Sequence, residues 1–124
     1  MTTTTTRPTF STITVSYKLS TLAAEQLGDD ALSVYETALT AALVAEYPGA
    51  EVDVTVRLAN VDASSFDATC ETTEGVDVRV SKNHFGSVTV AADPDELDFA
   101  AQESIRADFD HADDKAWQAA CESA

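Results

Sequence analysis

Between Val52 and Ala92 the apolar residues fall on even positions almost throughout. Val52, Val54, Val56 and Leu58 come first, then Phe66, Ala68 and Cys70, then Val76, Val78 and Val80, then Val88, Val90 and Ala92. The odd positions between them are mostly polar, among them Asp53, Thr55, Arg57, Asp67, Glu71, Asp77 and Arg79. A period of two marks strands with one dry face and one wet face. The pattern predicts four consecutive antiparallel strands, a meander. A three-residue loop at Thr73-Glu74-Gly75 sets Cys70 opposite Val78 and Ala68 opposite Val80, with Gly75 free to take a left-handed backbone. A two-residue loop would mix the faces. The same parity sets Val80 opposite Val88 and Leu58 opposite Phe66. On the wet face this register lines up Asp53, Glu71 and Asp77 in a row across three strands about 4.8 Å apart.

Upstream, Ile13, Val15, Tyr17 and Leu19 alternate with Thr14, Ser16 and Lys18, which predicts a further strand over 9–19. Ser20 or Thr21 can cap a short helix, Gly28-Asp29-Asp30 interrupts it, and Asp30 can cap the main helix from Ala31 to about Tyr47. Leu32, Tyr35, Leu39, Ala42 and Leu43 form its stripe, and Pro48-Gly49 stops it. A helical crossover of this length allows the first strand to lie parallel to a meander strand.

Asp93-Pro94-Asp95-Glu96 is a start signal for a last helix, whose inner side holds Leu97, Ala101, Ile105, Ala112 and Ala116. Its outer side holds Asp95, Glu103, Arg106, Asp110 and Asp113. If the helix is continuous, Phe99 and Trp117 point outward among carboxylates. A break near Asp110-His111 would instead turn Trp117 and Cys121 inward. The expectation is an α+β fold: a two-layer sandwich of a mostly antiparallel sheet of about five strands, in the order β-α-β-β-β-β-α, with helices on one face. It spans one domain over 9–124, behind a disordered Thr-rich tail over 1–8.

Charge changes the picture more than size does. The chain of 124 residues carries 22 acidic and 7 basic residues, a net −15. Such a chain repels nucleic acid and anionic membranes and favours basic partners. No apolar run is long enough to cross a membrane, and Met1–Phe10 lacks the layout of a secretory signal, which predicts a cytoplasmic address. The two cysteines, Cys70 and Cys121, have no CxxC spacing and read as reduced.

Candidate chemistry is sparse. His84 and His111 stand far apart, and His84 reads as a solvated turn residue. Asp108, Asp110, Asp113 and Asp114 lack the central glycine and terminal glutamate of a calcium loop. No phosphate loop, dinucleotide fingerprint, nucleophile elbow or zinc set is present. A cation or switch site built on Asp53, Glu71 and Asp77 ranks last. The expectation is therefore no enzyme, no cofactor and no metal, and a basic protein or nucleoprotein complex as partner, with a second copy of the chain as a further one. The partner-binding candidates are Asp53, Glu71, Asp77, Asp95, Phe99, Glu103, Asp110, Asp113 and Trp117. An aromatic ringed by acid can anchor an interface.

Carboxylates on successive helical turns lie about 6 Å apart, a spacing of the order of that between phosphates along a DNA strand. In size and charge the chain resembles the phage-encoded anti-CRISPR and anti-restriction proteins, several of which act as DNA mimics. That resemblance implies an inhibitor occupying a basic nucleic-acid-binding surface. The alternative is an acidic, halophile-type soluble domain without mimicry, to which abundant Asp, Thr, Ala and Val and scarce Lys are suited.

Overall fold

The computed structural model of the chain describes residues 9–61, 63–83 and 87–123. The Thr-rich tail and the loop residues His84–Gly86 lie outside the described residues. Eight elements follow in order: β1 (Phe10–Ser20), α1 (Thr21–Leu27), α2 (Ala31–Glu46), β2 (Glu51–Ala59), β3 (Ser65–Thr72), β4 (Asp77–Lys82), β5 (Val88–Ala91) and α3 (Phe99–Ser123). They form the expected α+β arrangement, a five-stranded mixed sheet with the helices on its apolar face.

The sheet order is β2-β1-β3-β4-β5, so the predicted meander is interrupted. β1 lies between β2 and β3, parallel to β2 and antiparallel to β3. The physical reason is burial. Ile13, Val15, Tyr17 and Leu19 are all but fully buried, and a strand this apolar belongs where a neighbour flanks each edge. The α1–α2 crossover then delivers β2 parallel beside β1. The connection from β2 to β3 spans the end of β1, where the Ser20 N–H donates to Ser64 Oγ at 3.0 Å.

Inserting β1 takes Asp53 out of the predicted acidic row, while Glu71 keeps its predicted place opposite Asp77. Asp53 stands opposite Thr14, and Glu71 stands opposite Thr12 and Asp77. The register across the sheet runs Glu51–Thr12–Glu71–Asp77, and beside it Asp53–Thr14–Thr69–Arg79. Asp53 and Glu71 are thus separated by a whole strand, and Leu58 pairs with Leu19, not with Phe66. The β3–β4 hairpin keeps its predicted register, with Cys70 opposite Val78 and Ala68 opposite Val80. Gly75 has φ 90°, the left-handed backbone that loop requires. In the last hairpin the pairing is two residues off the expectation, with Val80 opposite Val90 and Lys82 opposite Val88. Parity survives because a shift of two leaves every side chain on its own face.

The helices depart from expectation at their ends. Ser20 caps α1, its Oγ accepting from the Ala23 N–H at 3.2 Å. Asp30 precedes α2 but makes no side-chain cap bond, and Leu32 is exposed; the buried stripe is Ala31, Tyr35, Leu39 and Leu43. The Asp93 signal makes a turn, not a helix: Asp93 Oδ1 accepts from the Asp95 N–H at 2.9 Å, and its carbonyl accepts from the Leu97 N–H at 2.8 Å. Asp98 is the working cap, accepting from the Ala101 N–H at 2.8 Å. From there α3 runs unbroken past Asp110-His111 to Ser123. Its buried face is Ala101, Ile105, Phe109, Ala112, Ala116 and Ala120. The alanines let α3 approach α2, with which it packs more extensively than with any other element.

This face makes a contrast testable in urea. Phe109→Ala should cost about 3–5 kcal/mol of unfolding free energy, because it empties a fully buried site. Phe99→Ala should cost no more than about 0.5 kcal/mol, because Phe99 is 77% exposed.

Candidate functional site

Two charged side chains occupy positions that the apolar patterns assign to the interior. Lys82 is in phase with Val78 and Val80, so β4 aims it at the inner face of the sheet. Asp113 follows Phe109 by four residues and precedes Trp117 by four, so α3 turns it back toward the same interior. The two meet as an ion pair in which the Asp113 side chain is 7% exposed. The expectation that Asp113 faces solvent is therefore overturned: it lies at the margin of the buried stripe of α3, where the helix meets the sheet.

The pair is surrounded by hydroxyls. Tyr17 of β1 donates to Asp113 Oδ1 at 2.9 Å, and Tyr35 of α2 donates to the same oxygen. The Tyr35 hydroxyl also lies 3.1 Å from that of Tyr17 and 3.4 Å from the Asp113 carbonyl oxygen. Their rings pack at 4.7 Å between centroids. Lys82 holds the other carboxylate oxygen, so Asp113 is hydrogen-bonded through both oxygens. A buried charge needs such compensation. Burial first, and the Asp113 charge second, push both phenols above their ordinary range. They are hydrogen-bond donors at neutral pH, not bases.

Above this network a cleft of about 320 Å³ opens, lined by Tyr17, Tyr35, Ser64, Lys82, Asp110, Asp113, Asp114 and Trp117. Trp117 is half-buried and packs on Tyr35, ring centroids 6.5 Å apart, although the helix is continuous. Its position one turn beyond Asp113 carries it to the edge of the interior instead of fully outward. Asp110 and Asp114 are exposed on the rim.

The other expected site residues fall into separate groups. Asp53, Glu71 and Asp77 lie on the open sheet face. Asp95 is exposed in the turn before α3, and Phe99 opens the helix. Glu103 is exposed on α3 and pairs with Arg106 at 3.2 Å. Of the expected set, only Asp110, Asp113 and Trp117 share a cleft. Of the aspartates weighed as a calcium loop, Asp108 accepts from Tyr47 at 2.8 Å and Asp113 is held by Lys82. Among the described residues no His, Cys, Asp or Glu cluster has the arrangement of a metal site. His111 Nδ1 lies 2.8 Å from Glu46 Oε1, which ties α3 to the end of α2. Cys70 is buried, its thiol pushed up to about 12 by burial, and Cys121 is exposed; both are free.

Tyr17, Tyr35 and Lys82 were absent from the expected set. The signal that would have found them is a matched violation: one cation on a dry strand face and one anion on the flank of a dry helix stripe.

Charge is distributed by layer. The strands carry Glu51, Asp53, Asp67, Glu71 and Asp77 against Lys18, Arg57, Arg79 and Lys82, and with Lys82 turned inward to Asp113 the open face holds five acids against three bases. The stretch 21–46, which builds α1 and α2, carries Glu25, Asp29, Asp30, Glu36 and Glu46 with no Lys or Arg. The stretch 93–124 carries ten acidic residues against Arg106 and Lys115. Nearly all of the net −15 therefore sits on the helical layer. On α3, Glu103, Asp110 and Asp114 share the outward face.

Comparison with protein-family models, with curated proteins and with solved structures finds no match for this chain.

The phenol network has a pH signature. A raised folded-state pKa stabilises the fold at pH values below the unfolded tyrosine value near 10, and that contribution is lost as pH rises above it. Unfolding free energy should therefore fall steeply above about pH 10. In Tyr35→Phe the fall should be shallower by about one proton, or roughly 1.4 kcal/mol per pH unit. Denaturant titrations across alkaline pH measure both slopes.

Proposed function

We propose that this chain is a non-enzymatic acidic binding protein. Its helical layer occupies a basic, nucleic-acid-handling surface of a protein or nucleoprotein partner, which it inhibits by standing in for the nucleic-acid backbone. The observation that carries the reading is the segregation of charge. The helical stretches hold fifteen acidic residues against two basic ones, while the open sheet face holds five against three. A coat of acid serving hydration alone has no need of such a division, and a surface that docks on cations does. The outward face of α3 supplies the row Glu103, Asp110 and Asp114, with the exposed ring of Phe99 at its start. The chain would meet its partner in the cytoplasm; among the described residues no helix is long and apolar enough to cross a membrane.

Two features favour the helices over the sheet as the docking face. The open sheet face carries five acids against Arg79, Arg57 and Lys18, where the helical stretches carry fifteen acids against two bases, so it offers a basic groove a weaker field. The helical carboxylates rise from a rigid, packed element, so docking costs little ordering entropy.

Immobilised protein should capture basic nucleic-acid-handling proteins from a bacterial lysate, and short duplex DNA should release them. The combined variant Glu103→Gln, Asp110→Asn, Asp114→Asn should lose about tenfold or more in capture, while Asp53→Asn, Glu71→Gln, Asp77→Asn should keep most of it. Capture that duplex DNA never competes, or that depends on the sheet carboxylates, contradicts the proposal.

A further inference from the structure

The least protected part of the fold is the outer edge of β2. Among the described residues no strand lies beyond it, and it is nine residues long with no proline. The opposite edge strand, β5, has only four residues. Long, regular edges present unpaired N–H and C=O groups that template another strand. The dry face of β2 is also incompletely covered. Of its apolar residues only Val54 is buried, Val52 and Val56 are half-buried, and Leu58 is 56% exposed.

We infer that the partner of this edge is a second copy of the same chain, joined by antiparallel β2–β2 pairing about a two-fold axis at Thr55. The sequence of the strand is self-complementary in that register. On the wet face Asp53 meets Arg57 of the other copy, and Arg57 meets Asp53, giving two opposite-charge pairs flanking a Thr55–Thr55 contact. On the dry face Val54 meets Val56, and the exposed Leu58 meets Val52. All nine residues are used, which supplies about eight to ten main-chain hydrogen bonds.

Neighbouring registers do worse. A shift by one residue sets the wet face of one copy against the dry face of the other. Centring on Val56 places Arg57 opposite Thr55 and Asp53 opposite Ala59, with no opposite-charge pair. Centring on Val54 also gives an opposite-charge pair, Glu51 with Arg57, but leaves Leu58 and Ala59 beyond the pairing and the exposed Leu58 uncovered. The large net charge does not forbid the contact. The acid lies on the helical layer, the strand itself is nearly balanced, and at physiological salt repulsion is screened over about 8 Å. The product is one continuous ten-stranded sheet. A two-fold axis normal to that sheet keeps both helical layers on the same side of it.

Sedimentation equilibrium at physiological salt tests the interface with charge exchange. The natural chain should show a dimer. Asp53→Arg or Arg57→Asp alone sets like charges opposite each other and should weaken the dimer about tenfold or more. The double variant Asp53→Arg, Arg57→Asp should restore it. An equimolar mixture of the two single variants should associate preferentially as the heterodimer, in which both charge pairs are again opposite. Both positions lie on the wet face, and circular dichroism of each variant should match the natural chain. A chain that is monomeric at every concentration overturns the inference, as does a dimer indifferent to the two single substitutions.

Discussion

The carboxylate of Asp113 binds four elements of this fold to one another. It belongs to α3, and it accepts from Tyr17 of β1, from Tyr35 of α2 and from Lys82 of β4. Apolar packing alone would leave the angle and sliding of α3 over the sheet loosely determined, because its buried face is largely alanine. A hydrogen-bonded charge has no such latitude. Any displacement of the helix that breaks the network leaves a buried cation or anion uncompensated, at a cost of several kcal/mol. The network therefore sets where the outward face of α3 points, and with it the orientation of Glu103, Asp110 and Asp114.

The same arrangement explains how so acidic a chain packs two helices side by side. Acids that come near the α2–α3 junction are given partners: Asp108 accepts from Tyr47, and Glu46 meets His111. Asp113 is neutralised from below by Lys82. The remaining helical carboxylates are exposed, where water screens their repulsion. The open face of the sheet carries five acids against three bases, with Glu71 opposite Asp77 and Lys18 opposite Arg57. The molecule thus has two dissimilar faces, one strongly acidic and helical, the other a surface of Thr, Ser and charges of both signs.

Much of this was legible in the chain. The alternating stretches located all five strands, Gly75 set the β3–β4 register, and the start and end of α2 were marked by Asp30 and Pro48-Gly49. What stayed hidden is non-local. Alternation tells which side chains share a face but not which strand lies beside which, so the insertion of β1 between β2 and β3 is not legible, and with it the separation of Asp53 from the Glu71–Asp77 pair. Asp113 reads as a solvent-facing aspartate of the last helix, and nothing in the local pattern pairs it with Lys82. Their opposite charges compensate only once sheet and helix are stacked. Phe109 was overlooked for a related reason: the acid on either side of it, Asp108 and Asp110, masks the apolar stripe to which it belongs.

The central claim is that the acidic helical layer is the face that meets cations. The most direct measurement is the amide chemical-shift map of the protein during titration with a short oligoarginine peptide. The account predicts shifts concentrated in 93–98 and on the outward side of α3 around Glu103, Asp110 and Asp114, with the strands little affected. Shifts spread evenly over the molecule, or centred on Asp53, Glu71 and Asp77, would contradict it.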